Sequence, residues 1–253
     1  MRVLVTGAKG RVGSTVAHGL IERGHTVRAH DIVACSDFAD KCVSDLTDFA
    51  AVLAATKGMD AIVHLGGDPG GGASTQIEGS DGSWQSILNS NIIGSYNVFE
   101  AARQAGVRRI AYASRAGVLG DYPEDDPKTF RTVTLPTTPK GDYTVSKVFG
   151  EALGYSYAHQ HNMEVVCVRI GNFNGIRTTV DHPHQLSNAD CINVFERAIV
   201  HPGVKYEIVF GVSDSTWPLY DLDHGRQAIG YYPQDKSVIL PAELPWNKTN
   251  PKL

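Results

Sequence analysis

The most informative stretch of the sequence reads Val3-Leu4-Val5-Thr6-Gly7-Ala8-Lys9-Gly10-Arg11-Val12-Gly13. A short apolar run ends in a turn whose glycines stand three apart, and a segment with helical periodicity follows at about 12–23. This order of strand, glycine turn and helix is the context in which such a turn binds a dinucleotide. Gly7 would allow the tight turn, Gly10 the approach of a pyrophosphate, and Gly13 close packing of the helix on the sheet. A strand-to-helix turn without a ligand is the alternative.

The next predicted strand, His25–Asp31, ends in a carboxylate about 20 residues after the glycine turn. Such a carboxylate accepts hydrogen bonds from an adenosine ribose and repels a 2′-phosphate, which favours NAD over NADP. NADP stays an alternative cofactor, since the side chain of Lys9 or Arg11 could attract its 2′-phosphate. Asp45 and Leu46 follow a possible third strand and are candidates to border the adenine. A helix N-cap is the alternative for Asp45, and a solvated strand-end acid is the alternative for the first carboxylate.

Strands and helices alternate along the first two thirds of the chain. Further strands are predicted at 61–64, 109–113 and 164–170, with helices at about 48–57, 84–105 and 142–161. This alternation predicts an α/β fold, a Rossmann-type doubly wound parallel sheet that is covered on both faces. After Ile170 the alternation weakens. We therefore expect an NAD-binding domain over 1–170 and a small C-terminal substrate-binding segment over 171–253, which does not fold independently.

Composition excludes several classes of function. The chain has 253 residues, 42% hydrophobic and 20% charged, with a net charge of −4. No basic block points to nucleic acid or an anionic membrane, and no apolar run approaches the ~20 residues of a membrane span. Cys35, Cys42, Cys167 and Cys191 have neither disulfide-framework nor metal-site spacing, so we expect reduced thiols in a cytoplasmic protein. The run His182-Pro183-His184 lacks a third ligand, and we expect no metal.

Tyr143 and Lys147 form a candidate catalytic pair. They stand four residues apart in a predicted helix, so both side chains leave the same face. An ammonium beside a phenol favours the phenolate, and we expect it to lower the pKa of the tyrosine and make a proton acceptor. Tyr232 and Lys236 repeat the spacing, but Pro233 between them argues against a helix there.

Other polar residues are candidates to surround that pair. Ser114 ends a predicted strand, where ligands of open α/β sheets bind, and it could orient the reacting oxygen or merely cap the strand. Asn91 could hold a water that passes a proton outward from the lysine, or could be a helix-surface amide. Arg115 and Arg177 could bind a carboxylate or phosphate of a substrate, or form surface ion pairs. Asn172 could bind a sugar hydroxyl.

These features together resemble the short-chain dehydrogenase/reductase superfamily, in its extended branch of NAD-dependent epimerases and dehydratases. The resemblance spans about residues 1–170. It implies catalysis by Ser114, Tyr143 and Lys147, with Asn91 in support. It is carried by Thr6-Gly7-x-x-Gly10-x-x-Gly13, Tyr143-x-x-x-Lys147, Tyr112-Ala113-Ser114, His64-Leu65-Gly66-Gly67 and Asn91-Ile92-Ile93-Gly94. The cofactor contacts implied are Gly7, Lys9, Gly10, Arg11, Val12, Gly13, Asp31, Asp45, Leu46, Leu65, Gly66, Gly67, Asn91, Tyr143, Lys147 and Ile170.

A closer resemblance is to the bacterial uronate dehydrogenases, which oxidise the anomeric carbon of a hexuronic acid with NAD to an aldarolactone. Their chains are similarly short, and their stretches are similar to Val145–Glu151 and Val168–Gly171. The chain departs from them at the substrate end. Ser114 is followed by Arg115-Ala116-Gly117, where that family has Asn-His, and the loop from Gly66 to Gly82 is longer. The family's carboxylate-binding arginine aligns only with a gap, and Arg177 is nearest to it.

The resemblance therefore implies an NAD-dependent oxidoreductase acting on a sugar or sugar acid. A nucleotide-sugar epimerase or dehydratase is one alternative, although those chains are usually longer than 253 residues. A carbonyl reductase of a non-sugar substrate and a cofactor-binding regulatory protein without catalysis are the others. The resemblance also implies a homo-oligomer through the helices near 91–105 and 142–161, unless one subunit buries those faces itself.

Overall fold

The computed structural model describes residues 1–70, 82–122, 130–173, 175 and 182–239. The strands of this part are β1 (Arg2–Thr6), β2 (Thr26–Asp31), β3 (Asp40–Val43), β4 (Ala61–His64), β5 (Arg109–Arg115), β6 (Glu164–Ile170), β7 (Tyr206–Gly211), β8 (Asp214–Ser215) and β9 (Lys236–Ser237). The helices are α1 (Arg11–Glu22), α2 (Phe49–Thr56), α3 (Trp84–Ile87), α4 (Gly94–Ala105), α5 (Asp142–Gln160), α6 (Asn188–Val200) and α7 (Leu222–Ile229). A π-helical segment, Leu88–Ile93, joins α3 to α4, and a 3-10 turn, Ala116–Val118, follows β5.

Seven strands form one parallel sheet in the order β3-β2-β1-β4-β5-β6-β7. This confirms the predicted Rossmann-type fold. The chain runs outward from β1 to β3 and then crosses to β4, so the strand order reverses between β1 and β4. Ligands of open parallel sheets bind at such a reversal, beyond the carboxyl ends of the strands.

Helices cover both faces of the sheet. Successive residues of each strand point to opposite sides, and apolar residues on both sides need to be buried. On β1, Val3 and Val5 belong to a core that α1 and α6 close. Leu4, between them, belongs to the other core, which α2, α4 and α5 close. All three side chains are fully buried, as expected for the central strand of a sheet covered on both faces.

The sheet continues beyond the boundary that was predicted at residue 170. Strand β7 pairs in parallel with β6, and α6 packs against α1, although both lie within 171–253. That range is therefore not only a segment laid over the sheet, because its first half extends the same core. Strands β8 and β9 form a separate two-stranded ribbon. Lys236 lies in β9, which confirms that the second Tyr/Lys spacing is not helical.

In the ranges that the structure describes, no helix combines the length and the apolar character needed to cross a membrane.

Candidate active site

The glycine turn after β1 is shaped by close backbone contacts. Gly7 has a φ of +67°, in the left-handed region that favours glycine, and the N–H of Gly10 donates to its carbonyl oxygen at 2.9 Å. A Cβ on Gly13 would lie 1.8 Å from that same oxygen. The first turn of α1 therefore sits directly on the end of β1, as the spacing of the glycines predicted.

The N-terminus of α1 can bind an anion. Its N-cap is Gly10, so no side chain caps the first turn. The N–H groups of a first helical turn have no partner within the helix, and they lie at the positive end of its dipole. A negatively charged phosphate fits such a helix end.

Asp31, at the end of β2, supports the same turn. Its carboxylate accepts the backbone N–H groups of Lys9 and Ile32, both at 2.8 Å. The ammonium of Lys9 is drawn away to Asp37, at 2.9 Å. The Asp31 carboxylate therefore lies beside the glycine turn. The sequence predicts a ribose-binding carboxylate at this position.

A hydrogen-bond chain ties the end of β1 to the end of β4. The hydroxyl of Thr6 accepts the N–H groups of Leu65 and Gly66, at 3.2 and 3.1 Å. It lies 2.7 Å from Nδ1 of His64, and burial lowers the pKa of that imidazole to about 3. The imidazole is neutral, so Thr6 donates its hydrogen to Nδ1 and the Nε2 proton goes to Ser95, 3.1 Å away. This chain fixes the backbone of Leu65 and Gly66 beside the glycine turn.

Asn91, in the π-helical segment, joins three parts of the site. Its Oδ1 accepts the N–H of Asp68 at 2.6 Å, and its Nδ2 donates to the Asp68 carbonyl at 2.9 Å and to the Ser146 hydroxyl at 3.0 Å. The Ser146 hydroxyl in turn donates to the carbonyl of Tyr143 at 2.7 Å. A Cβ on Gly67 would lie 2.7 Å from Oδ1, so the glycine is needed for this approach. Asn91 is buried and fastens the loop after β4 to α5.

Tyr143 and Lys147 lie in the first two turns of α5, on one face, as predicted. The ammonium of Lys147 lies 5.4 Å from the centroid of the Tyr143 ring and 5.3 Å from that of Tyr112. Lys147 is buried, whereas Tyr143 is half-buried and reaches the cavity described below. A Cβ on Gly150 would overlap the Tyr112 ring, so this glycine lets α5 approach β5.

The protonation of the pair differs from the prediction. Burial raises the pKa of Tyr143; the Arg115 guanidinium opposes this and the Asp68 carboxylate adds to it. Burial also lowers the pKa of Lys147 to about 8, and Arg115 lowers it further. The expected fall of the Tyr143 pKa is therefore wrong for this structure, because the prediction considered the lysine charge and not the burial of both side chains.

Ser114 and Arg115 end β5 opposite the start of α5. The hydroxyl of Ser114 donates to the buried carboxylate of Glu151 at 2.6 Å. The Arg115 guanidinium lies 5.4 Å from the centroid of the Tyr143 ring and donates to the Thr144 hydroxyl at 3.3 Å. No carboxylate of the described residues is placed within ion-pair distance of it. Arg115 is thus a cation that faces the cavity.

One cavity of about 620 Å³ brings most of the predicted site together. The predicted residues that line it are Gly7, Gly10, Arg11, Val12, Gly13, Leu65, Gly67, Ser114, Arg115, Tyr143, Lys147, Ile170 and Asn172. The predicted residues that do not line it are Lys9, Asp31, Asp45, Leu46, Gly66 and Asn91. Arg177 and residues 71–81 of the long glycine loop lie outside the described part of the chain.

Asp45 and Leu46 have local roles in the structure. The Asp45 carboxylate accepts the N–H of Thr47 at 2.8 Å and so forms a turn, whereas Asp48 caps α2. The side chain of Leu46 packs close to Gly66. The N-cap alternative therefore belongs to Asp48 and not to Asp45.

Three residues that line the cavity were not predicted from the sequence. They are Phe173, His184 and Tyr220, and a parallel bridge between Asn172 and Gln185 brings the chain around His184 to the end of β6. The Tyr220 hydroxyl lies 3.4 Å from Nδ1 of His184. The residues sit in irregular segments, where spacing carries no signal for a shared site.

The chain is similar to known proteins over most of its length. The model of the NAD dependent epimerase/dehydratase family matches residues 3–214. The NAD-dependent glucose-6-phosphate dehydrogenase of Haloferax volcanii is 35% identical over 93% of this chain and 94% of its own length. The uronate dehydrogenase of Pseudomonas putida is 32% identical over 96% of this chain and 87% of its own.

Among solved structures, a mutant uronate dehydrogenase from Agrobacterium tumefaciens complexed with NAD matches with a TM-score of 0.81 and 30% identity, over 93% of this chain and 85% of that one. The family match and these relatives cover most of the described fold and the cavity. The chain belongs to the NAD dependent epimerase/dehydratase family.

Proposed function

We propose that the protein is an NAD-dependent oxidoreductase that oxidises a hydroxyl of a sugar or sugar acid, at the anomeric carbon, with Tyr143 as general base. One observation carries this proposal: the glycine turn and the side chains of Ser114, Tyr143 and Lys147 line the same cavity. A dinucleotide bound at the turn would therefore share this cavity with the proton acceptor. The names of the relatives, a glucose-6-phosphate dehydrogenase and uronate dehydrogenases, support sugars as the substrate class.

NAD fits the residues at the turn. Gly13 lets α1 begin directly against the Gly7 carbonyl, the start of α1 has no capping side chain, and the Asp31 carboxylate stands at the end of β2. We assign the pyrophosphate to the backbone of Gly10, Arg11 and Val12, and the adenosine ribose to Asp31. The Lys9 ammonium is paired with Asp37, which weakens the case for a 2′-phosphate.

Replacing Asp31 by Ala is expected to narrow the preference for NAD over NADP, because the repulsion of a 2′-phosphate and the ribose hydrogen bonds are lost together. The ratio of kcat/KM for the two cofactors measures this. Asp31→Asn separates charge from shape, since it removes the charge but keeps the size of the side chain and one acceptor oxygen; it should narrow the preference as well. An unchanged ratio of kcat/KM for NAD and NADP in both variants would contradict the proposed contact of Asp31 with the ribose.

Each residue near the cavity has its own role in the proposed oxidation. When bound, NAD would supply the hydride acceptor and a positively charged nicotinamide ring. Tyr143, as phenolate, takes the proton of the substrate hydroxyl. Lys147 holds positive charge beside the phenolate and is in place to bind the nicotinamide ribose. Ser114 binds the sugar beside the reacting hydroxyl, and Asn91 retains a carbonyl lone pair for a water.

Arg115 is expected to influence the protonation of Tyr143. A cation near a phenol stabilises the phenolate and lowers its pKa, so removal of the cation raises the pKa. The rate of oxidation rises with pH as the phenolate forms. In Arg115→Gln this rise in kcat should therefore move to higher pH.

The control for that pH profile is Arg108→Gln, which removes the same charge at the opposite end of β5, from a side chain that is 56% exposed. Its profile should match the wild type. An unchanged profile in Arg115→Gln would contradict the assignment.

The substrate is proposed from the cavity wall. Arg115 presents guanidinium donors for an anionic or hydroxyl group of the sugar, and Asn172 lies at the end of β6 for a second hydroxyl. Arg177 stays a candidate for a substrate carboxylate. Residues after 170 also contribute Phe173, His184 and Tyr220, so we keep the proposal that 171–253 covers the substrate.

The experiment that tests the function is NADH formation with a panel of aldoses, uronic acids and sugar phosphates. Activity with one class of sugars supports the proposal and names the class. Interconversion of a nucleotide sugar without net NADH would favour an epimerase or dehydratase. Reduction of non-sugar ketones alone would favour the carbonyl reductase, and NAD binding with silence across all substrates would favour a regulatory protein.

We propose a homo-oligomer, because α4 and α5 leave Tyr96, Val145 and Tyr155 exposed by 48%, 43% and 55%. Apolar helix faces of this kind are commonly covered by a second subunit. We also propose a cytoplasmic location, since all four cysteines are free thiols.

A further inference from the structure

A buried ion pair stands behind Ser114. The guanidinium of Arg169 binds the carboxylate of Glu151 through two bonds, Nε to Oε1 and Nη2 to Oε2, both at 2.9 Å. The hydroxyl of Ser114 donates to the same Oε1 at 2.6 Å. Ser114, Glu151 and Arg169 are 2%, 5% and 2% exposed, so this cluster is removed from water.

Three elements of the site hold this cluster. Ser114 and Arg169 are register partners on β5 and β6. Glu151 lies on α5 one turn after Lys147 and two turns after Tyr143, and the helical period places the three side chains on one side of α5. The Glu151 carbonyl also accepts the hydroxyl of Tyr206 at 2.9 Å, which ties α5 to β7. The pair therefore fixes the distance between the helix of the base and the strand of Ser114.

The cluster also sets the direction of the Ser114 hydroxyl. A serine has one hydrogen to donate and two lone pairs. A carboxylate is the strongest acceptor on this side, and bonds to ionised partners are shorter and stronger than neutral ones. With its hydrogen held by Glu151, the oxygen of Ser114 turns its lone pairs to the cavity that it lines.

We infer that Glu151 and Arg169 are positioning residues for the reaction: they hold the oxygen of Ser114 at the substrate end of the cavity, with its hydrogen directed away. Ser114 then accepts a hydrogen bond from a sugar hydroxyl next to the one that gives its proton to Tyr143. Arg169 acts through Glu151, and Glu151 acts through Ser114. The inference rests on the proposed oxidation of a sugar hydroxyl. It explains why a charged pair is kept in a place where apolar residues of similar volume would serve the core.

The test is a double-mutant cycle on kcat/KM. Glu151→Leu with Arg169→Met removes both charges together and leaves neither unpaired, since breaking only one partner strands a buried charge. We expect this double variant to lower kcat/KM for the sugar by about tenfold, the value of one oriented hydrogen bond. In a Ser114→Ala background the same replacement should cause almost no further loss, because its effect passes through the serine. The affinity for NAD should stay unchanged in all variants.

The same two strands carry a matched control. Arg109 and Glu164 are also register partners on β5 and β6, with Nη2 2.7 Å from Oε2, but at the opposite end of the strands. Arg109→Met with Glu164→Leu should leave kcat/KM unchanged. If the Glu151/Arg169 variant does not fold, Glu151→Asp is used in its place, because it keeps the charge and withdraws the acceptor by one methylene.

The outcomes separate the inference from the proposed function. Equal losses in the wild-type and Ser114→Ala backgrounds would mean that the pair acts on the fold and not through Ser114, and would overturn the inference alone. No loss in the wild-type background would overturn it as well. Absence of NADH formation by the wild-type chain with every sugar overturns the proposed function, and the inference with it.

Discussion

Replacing Tyr143 by Phe is expected to lower kcat by about 10²–10⁴-fold, because a general base of this kind contributes that much to a proton transfer. The ring and its contacts with Lys147 and Arg115 remain, since both cations lie over the ring face. The dissociation constant of NAD should therefore stay close to that of the wild type. Single-turnover rates and a binding titration measure the two quantities separately.

The control for this variant is Tyr155→Phe on the same helix. Tyr155 lies three turns beyond Tyr143 and does not line the cavity, so loss of its hydroxyl should leave kcat unchanged. A Tyr143→Phe enzyme that kept more than about a tenth of the wild-type kcat would show that another group accepts the proton.

Replacing Gly13 by Ala is expected to damage both the fold and the cofactor site. The new Cβ would lie 1.8 Å from the Gly7 carbonyl oxygen, so α1 must move away from β1. Overpacking of this kind costs about 1–3 kcal/mol of unfolding free energy. Displacement of the helix end by about 1 Å should lower kcat/KM for NAD by about 10²-fold. Denaturant unfolding and initial rates at varied NAD measure these effects.

Gly225→Ala is the matched control, because Gly225 also lies inside a helix. Its added Cβ would be 3.7 Å from the nearest atom, which is ordinary contact. Alanine is favoured over glycine in a helix by about 0.5–1 kcal/mol, so this variant should be as stable as the wild type or more stable. Equal behaviour of the two variants would mean that the close approach at Gly13 is not needed.

The parallel sheet and the strands β1, β2, β4, β5 and β6 could be predicted from the sequence, because each of these strands is a short apolar run that alternates with a helical segment. The glycine turn could be predicted for a similar reason, since Gly7, Gly10 and Gly13 are defined by spacing within one local segment. Strand β7 was missed as part of the sheet. Its partner is β6, and the alternation of strands and helices is no longer clear in the sequence after Ile170, so the parallel pairing was not predicted.

The protonation of the catalytic pair could not be predicted, because it depends on burial and on residues distant in sequence. The spacing of Tyr143 and Lys147 shows that they are neighbours, but it does not show that both lie against the sheet. Nor does it show that Asp68 and Arg115 stand near the phenol with opposite effects on its pKa. These contacts arise where the ends of β4 and β5 meet α5.

The hydrogen bond from Ser114 to Glu151 could not be predicted either, because it also joins residues that are distant in sequence. Glu151 and Arg169 belong to stretches that were quoted for their family resemblance, yet their contact with the serine needs the register of β5 on β6 and the face of α5. The cavity wall of Phe173, His184 and Tyr220 is formed by segments without a regular period. Spacing finds site residues within one element, and it fails where a site is assembled between elements.

The central claim is that hydrogen leaves the anomeric carbon of a sugar for NAD in the cavity beside Tyr143. The most direct test uses an accepted sugar that carries deuterium at that carbon, with the wild-type chain and NAD. The account predicts that the deuterium is found in the reduced cofactor, with one equivalent of oxidised sugar, and that Tyr143→Phe suppresses this transfer. Deuterium that stays in the sugar product, or returns to it without net reduction of NAD, would contradict the claim.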